Sequence, residues 1–195
     1  MGTSQPNHCV FASIIMRARK VVLCALMALG VALPASRGSA KPVPVAEYRL
    51  RFYHTHTNER LDIVYRRGDV YVPEALTRLD QYLRDYRTGD VHPYDPRVFD
   101  LLHELTSFLG HPDAEINVIC GYRTPRTNEF LRARSVHTGV ALHSLHMQAE
   151  AIDIRLPGVS TAQLRDAALE LHRGGVGYYR ALDFVHVDVG RIRHW

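Results

Sequence analysis

The chain is poor in cysteine, carries little net charge once its first 40 residues are set aside, and shows no internal repeat or low-complexity tract. Each of these absences excludes something. There are three cysteines, and two of them, Cys9 and Cys24, fall in the first 40 residues. A domain cut after Ala40 keeps only Cys120, so it can form no internal disulfide and cannot be a small disulfide-stapled scaffold. The formal charge of +4 comes from Arg17, Arg19, Lys20 and Arg37, because residues 41–195 hold 20 basic and 20 acidic side chains. A neutral domain offers no electrostatic footprint for nucleic acid. The apolar run at residues 21–33 is shorter than a comfortable membrane span. No pair of adjacent arginines precedes it, which favours general secretion over the twin-arginine route.

What is present in those first residues is the pattern of a signal peptide. Arg17-Ala18-Arg19-Lys20 is a basic start, the apolar run follows, and Gly38-Ser39-Ala40 offers small residues for cleavage. We expect residues 1–40 to be a signal peptide, with a retained N-terminal anchor as the alternative. Met16 is a candidate true start, because residues 1–15 are an unusual prefix for such a signal. Cys24 stands near the start of the apolar run without a small residue ahead of it, which argues against a lipoprotein. After cleavage no stable membrane insertion is expected. Export of a domain with no internal disulfide suits a bacterial periplasm.

The remaining 155 residues suffice for one domain with a real core. Residues 41–72 read as a linker and a β-hairpin region, with Thr57-Asn58-Glu59 between two alternating stretches. Residues 73–195 carry the helices and the metal-binding core. Pro73 opens a helix whose Leu76, Leu79, Leu83 and Tyr86 share a face, stopped at Thr88-Gly89-Asp90. Pro96 opens another that Gly110 ends, and residues 116–120 form a strand. Thr127 or Asn128 is the expected cap of a short helix, and Ser160 that of a later one. Residues 176–179 and 184–189 are separated so briefly that they should pair as a hairpin.

Chemistry concentrates in two strands. In residues 150–156, Ile152, Ile154 and Leu156 share one face, and Ala151, Asp153 and Arg155 the other. In residues 183–189, Val185, Val187 and Val189 face one way, with His186 and Asp188 opposite. With the apolar faces inward, Asp153 and His186 emerge from one sheet surface, and His146 lies seven residues before Asp153. Two imidazoles and a carboxylate suit Zn2+ with a fourth position open for water, and an acidic residue nearby would serve as general base. Asp188 shares the parity of His186, which suits it either to orient that ring or simply to be solvated. Cys120 reads as a buried small apolar residue.

Ser144-x-His146-x-x-Ala149-x-Ala151-x-Asp153 resembles the signature of the VanX-type D-Ala-D-Ala metallopeptidases, and the chain is most similar to their YcbK-like branch of MepK-type murein endopeptidases. Further blocks carry the resemblance in order across residues 45–195. They are Leu83-Arg-Asp-Tyr-Arg-Thr-Gly89, Gly121-Tyr-Arg-Thr124, Gly174-Gly-Val-Gly-Tyr-Tyr179 and Phe184-Val-His-Val-Asp188. The resemblance implies an α+β fold of the Hedgehog/DD-peptidase kind, with a mostly antiparallel sheet, helices packed on one side and a zinc cleft on the other. It implies His146, Asp153 and His186 as zinc ligands, Asp183 as the base, and Arg123 pointing at the scissile carbonyl. The implied partner is the stem peptide of peptidoglycan, and the implied reaction is endopeptidase cleavage of cross-links. A D-Ala-releasing carboxypeptidase or dipeptidase, or a non-catalytic zinc-containing wall-binding protein, are the alternatives. Three positions depart from the pattern: Ala149 stands for the signature glycine, Cys120 for an expected serine, and Glu150 for a basic residue. Ala149 matters only if the backbone there needs a positive φ.

Overall fold

The computed structural model describes residues 45–134 and 139–195. The expected signal at 1–40, the linker at 41–44 and the loop residues 135–138, His137 among them, lie outside the described residues.

The expected hairpin forms from β1 (Glu47–His54) and β2 (Arg60–Arg67). Asn58 takes a left-handed φ of 59° in its turn, a conformation that asparagine tolerates better than most side chains. Alternation sends Leu50 and Phe52 of β1 and Leu61, Ile63 and Tyr65 of β2 into the core. A two-residue strand, β3 (Val70–Tyr71), leads to α1 (Pro73–Tyr82).

α1 ends four residues short of Tyr86, where the apolar period had carried it. The carbonyl of Leu83 accepts the Tyr122 N–H at 2.8 Å, and the Arg87 N–H donates to the Asp85 carboxylate at 3.0 Å. Both groups are thereby withdrawn from the helical ladder. Gly121 allows this approach, since a Cβ there would lie 2.5 Å from the Leu83 oxygen.

α2 (Arg97–Phe108) follows Pro96 and buries Val98, Leu101, Leu102 and Leu105. β4 (Glu115–Cys120) runs into α3 (Pro125–Ala133). The cap of α3 is Thr124, whose hydroxyl accepts the Thr127 N–H, and neither Thr127 nor Asn128. β5 (Ala151–Arg155) leads to α4 (Thr161–Glu170), which Ser160 caps with Gln163 in a reciprocal box. β6 (Gly175–Tyr179) and β7 (Phe184–Asp188) pair antiparallel as expected, and β8 (Arg193–His194) was not anticipated.

The eight strands form one sheet in the order β3-β2-β1-β4-β5-β7-β6-β8. It is a mixed sheet. Five pairings are antiparallel, but β1–β4 and β6–β8 run parallel. α1 packs against β2, α2 against β1, and α4 against β6 and β7. α3 is different, because it buries only Thr127 and Asn128 and contributes Leu131 to the cleft. β5 and β7 lie at the middle of the sheet with both faces covered, so their polar residues are as buried as their apolar ones.

Candidate metal centre and its cleft

Asp153 of β5 and His186 of β7 are direct cross-strand partners, as their shared parity requires. His146 reaches the same point from a short tight helix, Leu145–Gln148, that precedes β5. The turn between them puts Ala149 at φ 53°. The backbone therefore does need the positive φ for which the signature has glycine, and an alanine there is strained by on the order of 1 kcal/mol.

Three donor atoms converge. His146 Nε2 lies 3.2 Å from Asp153 Oδ1 and 3.1 Å from His186 Nδ1, and His186 Nδ1 lies 2.9 Å from Asp153 Oδ1. Ligands about 2.0–2.1 Å from a tetrahedral ion are about 3.3–3.4 Å apart, so this triangle is nearly one face of such a site. The proton positions follow from the other ring nitrogens. His146 Nδ1 donates to the Gly121 carbonyl at 2.8 Å, and His186 Nε2 donates to Asp188 Oδ2 at 3.0 Å. In each ring the N–H is turned away, and the lone pair faces the shared point. Two lone pairs and a carboxylate oxygen in contact need a cation between them. The electrostatics show that the same point attracts positive charge, which a proton on His146 meets when no metal ion is bound. Burial would lower the His146 pKa, but Asp153 and Cys120 push it up to about 10. Burial would raise that of Asp153, yet His146 and His186 hold it far below the carboxylate range.

Asp188 is fully buried and supports His186 from behind. Its carboxylate also accepts the Gly175 and Gly190 N–H groups, each at 2.9 Å, and pairs with Arg193 at 2.7 Å. Burial raises its pKa, but the His186 and Arg193 hydrogen bonds carry it well below the ordinary value.

Arg123 is 7 % exposed and stands beside the centre. Its Nη2 donates to Cys120 Sγ at 3.3 Å and lies 3.9 Å from Asp153 Oδ2, its Nη1 donates to Asn128 Oδ1 at 3.2 Å, and its buried Nε has no partner. Asp85 holds the turn that carries it, because one Asp85 oxygen accepts both the Thr124 N–H at 2.9 Å and the Thr124 hydroxyl at 3.0 Å.

Cys120 is buried, as its residue type suggests, but lies outside the apolar core cluster, and Asp183, which resemblance assigns to the centre, stands away from it. Cys120 shares parity with the core residues Ile116 and Val118, but pairing jumps from Val118↔Ile154 to Cys120↔Asp153. That irregularity turns Cys120 onto the metal face, where its sulfur and the ligand atoms of His146 and Asp153 lie within 4.8 Å of one another. The set with His186 is tighter, and it is the one whose protons point outward. Asp183 is not brought to the centre. Its carboxylate pairs with Arg155 at 2.9 Å, accepts the Thr161 hydroxyl at 3.3 Å and is 60 % exposed, and Asp183 is absent from the cleft lining. Its φ of 53° shows what the position demands, a left-handed residue ahead of β7.

The centre opens into a cleft of 520 Å³. Sheet order sets its two ends. His56, Tyr86 and Arg87 line it on the β1 side, and Tyr179, Phe184 and Trp195 on the β6 and β8 side. Trp195 packs 5.2 Å from the His186 ring and donates its indole N–H to the Tyr179 hydroxyl at 2.9 Å. Gly177 leaves room for it, since a Cβ there would meet the indole at 2.7 Å.

An α+β domain with a buried His-His-Asp triangle, an adjacent buried arginine and an open cleft has the features of a metal-dependent peptidase. Comparison with known proteins specifies the family. The profile of the family described as peptidoglycan L,D-endopeptidase MepK matches residues 44–195, and the chain belongs to that family. It is similar to the probable peptidoglycan L,D-endopeptidase MepK of Haemophilus influenzae, with 41% identity over 146 residues, covering 75% of this chain and 77% of the relative. It is also similar to the peptidoglycan L,D-endopeptidase MepK of Escherichia coli K12, with 38% identity over 180 residues, covering 91% and 96%. No solved structure gives a significant match.

Proposed function

We propose that this protein is a zinc-dependent peptidoglycan endopeptidase that hydrolyses peptide cross-links between stem peptides, at a bond of the L,D type for which its relatives are named. The observation that carries the proposal is the convergence of His146 Nε2, Asp153 Oδ1 and His186 Nδ1 with both imidazole protons directed away. We assign these three atoms as the ligands. Zinc held there supplies Lewis acidity and a water acidic enough to ionise near neutral pH. Arg123, with unused donors beside Asp153, is assigned to the oxyanion that develops on the attacked carbonyl. Asp188 keeps the His186 ring in one tautomer and orientation. The base role that resemblance gives Asp183 would require its carboxylate to leave Arg155 and Thr161. Where it stands, it holds the corner before β7.

The arrangement of helices and mixed sheet is consistent with a Hedgehog/DD-peptidase-like fold. We further propose that residues 1–40 are removed as an export signal and that the enzyme works in the periplasm, which the mass of the secreted protein tests. Among the described residues no helix is long and apolar enough to cross a membrane.

The test is a digest of purified sacculi by the zinc-loaded protein, read by mass spectrometry, with His146→Ala as control. Conversion of cross-linked dimers to monomers only by the intact centre supports the proposal. Dimers that survive while terminal alanines are lost would instead indicate a trimming carboxypeptidase. No change with zinc bound would indicate a wall-binding protein.

A further inference from the structure

The stretch around Asp85 to Arg87 takes no part in the chemistry above, yet it builds one end of the cleft. The charges there are lopsided. Three arginines line the cleft, Arg87, Arg123 and Arg193, against a single acidic side chain, Asp153. Arg193 is paired with Asp188, and Arg123 lies beside Asp153. Arg87 forms no ion pair among the described residues, and every acidic residue of the chain is among them.

Arg87 is exposed but its orientation is set. Its guanidinium lies 4.1 Å from the centroid of the Tyr86 ring, and His56 stacks on that ring at 4.2 Å with the planes 14° apart. Two groups that close to one centroid cannot share a face, so Tyr86 is held between them. Burial, then Arg87 itself, lowers the His56 pKa, which leaves that ring neutral at pH 7 and Arg87 as the cation of this end. The Arg87 backbone is anchored as well. Its N–H donates to one oxygen of Asp85, whose other oxygen holds Thr124, the residue after Arg123. One buried carboxylate thus fixes the two arginines relative to each other. A stacked guanidinium keeps its in-plane N–H edge free, which is the geometry that grips a planar carboxylate by two parallel bonds.

We propose that Arg87 is a specificity residue that binds a free carboxylate of the stem peptide, on the β1 side of the cleft. This rests on the endopeptidase proposal for the identity of the ligand and deepens it, because it predicts that amidation of that carboxylate weakens recognition.

Trp195 is the only tryptophan and lines the cleft, so its fluorescence reports occupancy independently of turnover. The zinc-loaded protein is titrated with a stem peptide carrying free carboxylates and with the same peptide as its carboxamide. Arg87→Ala and Arg87→Lys are compared with Arg84→Ala, whose side chain pairs with Glu59 outside the cleft. In parallel, kcat/KM is measured on the corresponding cross-linked dimers. The wild-type protein and Arg84→Ala should prefer the carboxylate by about 10- to 100-fold, the worth of one charge-assisted pair. Arg87→Ala should lose that preference by weakening for the carboxylate alone, and Arg87→Lys should recover part of it. A wild type that does not discriminate, or an Arg87→Ala protein that discriminates as well as wild type, overturns the proposal. A preference that depends on Arg87 in titrations where nothing is cut leaves it standing and defeats the endopeptidase assignment instead.

Discussion

Asp153, Asp188 and Asp183 lie on or next to the neighbouring interior strands β5 and β7, and their surroundings could hardly differ more. Asp153 and Asp188 are 6 % and 0 % exposed, and each is hydrogen-bonded to a histidine of the centre. Asp183 is solvent-facing, bound to an arginine and a threonine of neighbouring elements. For Asp153 and Asp188 the placement follows from strand parity. Asp153 sits directly across from His186, and Asp188 is two residues beyond it on the same face. Asp183 is three residues before His186, just outside β7 and at a left-handed φ of 53°, so strand alternation does not reach it, and there it meets Arg155 of β5 and Thr161 of α4. A carboxylate near a metal ligand in sequence is therefore no guide to one near it in space. What sets Asp153 and Asp188 apart is burial that would be intolerable without the partners they have.

Five substitutions test this contrast. The largest effect belongs to the ligands. His146→Ala or His186→Ala should leave no stoichiometric metal, checked by elemental analysis, and no cleavage of sacculi above background. Arg123→Ala should retain zinc and lower kcat by about 10² to 10³, as loss of one oxyanion donor does elsewhere. A fall confined to KM would remove Arg123 from the transition state. Asp188→Asn should weaken metal affinity or activity by about 10- to 100-fold, measured by competition with a chelator. Unchanged affinity and activity would mean that the Asp188 hydrogen bond does not tune His186. The smallest effect is expected for Asp183→Ala. Turnover should stay within about threefold and stability within about 2 kcal/mol, the sum of an exposed ion pair and the strain of alanine at a left-handed φ. A loss of 100-fold or more with zinc retained would break the contrast outright. It would mean that the corner before β7 rearranges on binding substrate and delivers Asp183 to the water.

Most of the centre was legible from periodicity. Alternation put Asp153 and His186 on one face, and they proved to be register partners. The role of Asp183 came only from the resemblance to related enzymes, and the residue lies outside β7 in a left-handed conformation that alternation does not describe. Cys120 was illegible for a different cause. Its burial and its alternation with Ile116 and Val118 are regular, and nothing in residue type announces the shifted pairing that brings its sulfur beside the centre. The end of α1 was hidden too, since Leu83 and Tyr86 continue the helical period while a distant turn takes the Leu83 carbonyl. The parallel pairing of β1 with β4 and the arrival of β8 beside β6 are long-range choices that local patterns do not encode.

Asp85 also bears on how this protein can evolve. Its carboxylate joins two turns 39 residues apart in the chain, and each turn presents an arginine to the cleft. Leu83 to Gly89 and Gly121 to Thr124, two separate blocks in the sequence, are one part in space: Asp85 needs the Thr124 hydroxyl, and Leu83 needs the bare backbone of Gly121. Drift at either block alone strands a buried polar group or forces a collision. The two blocks should therefore co-vary across relatives, and a graft that carries one into another scaffold should work only when the other goes with it.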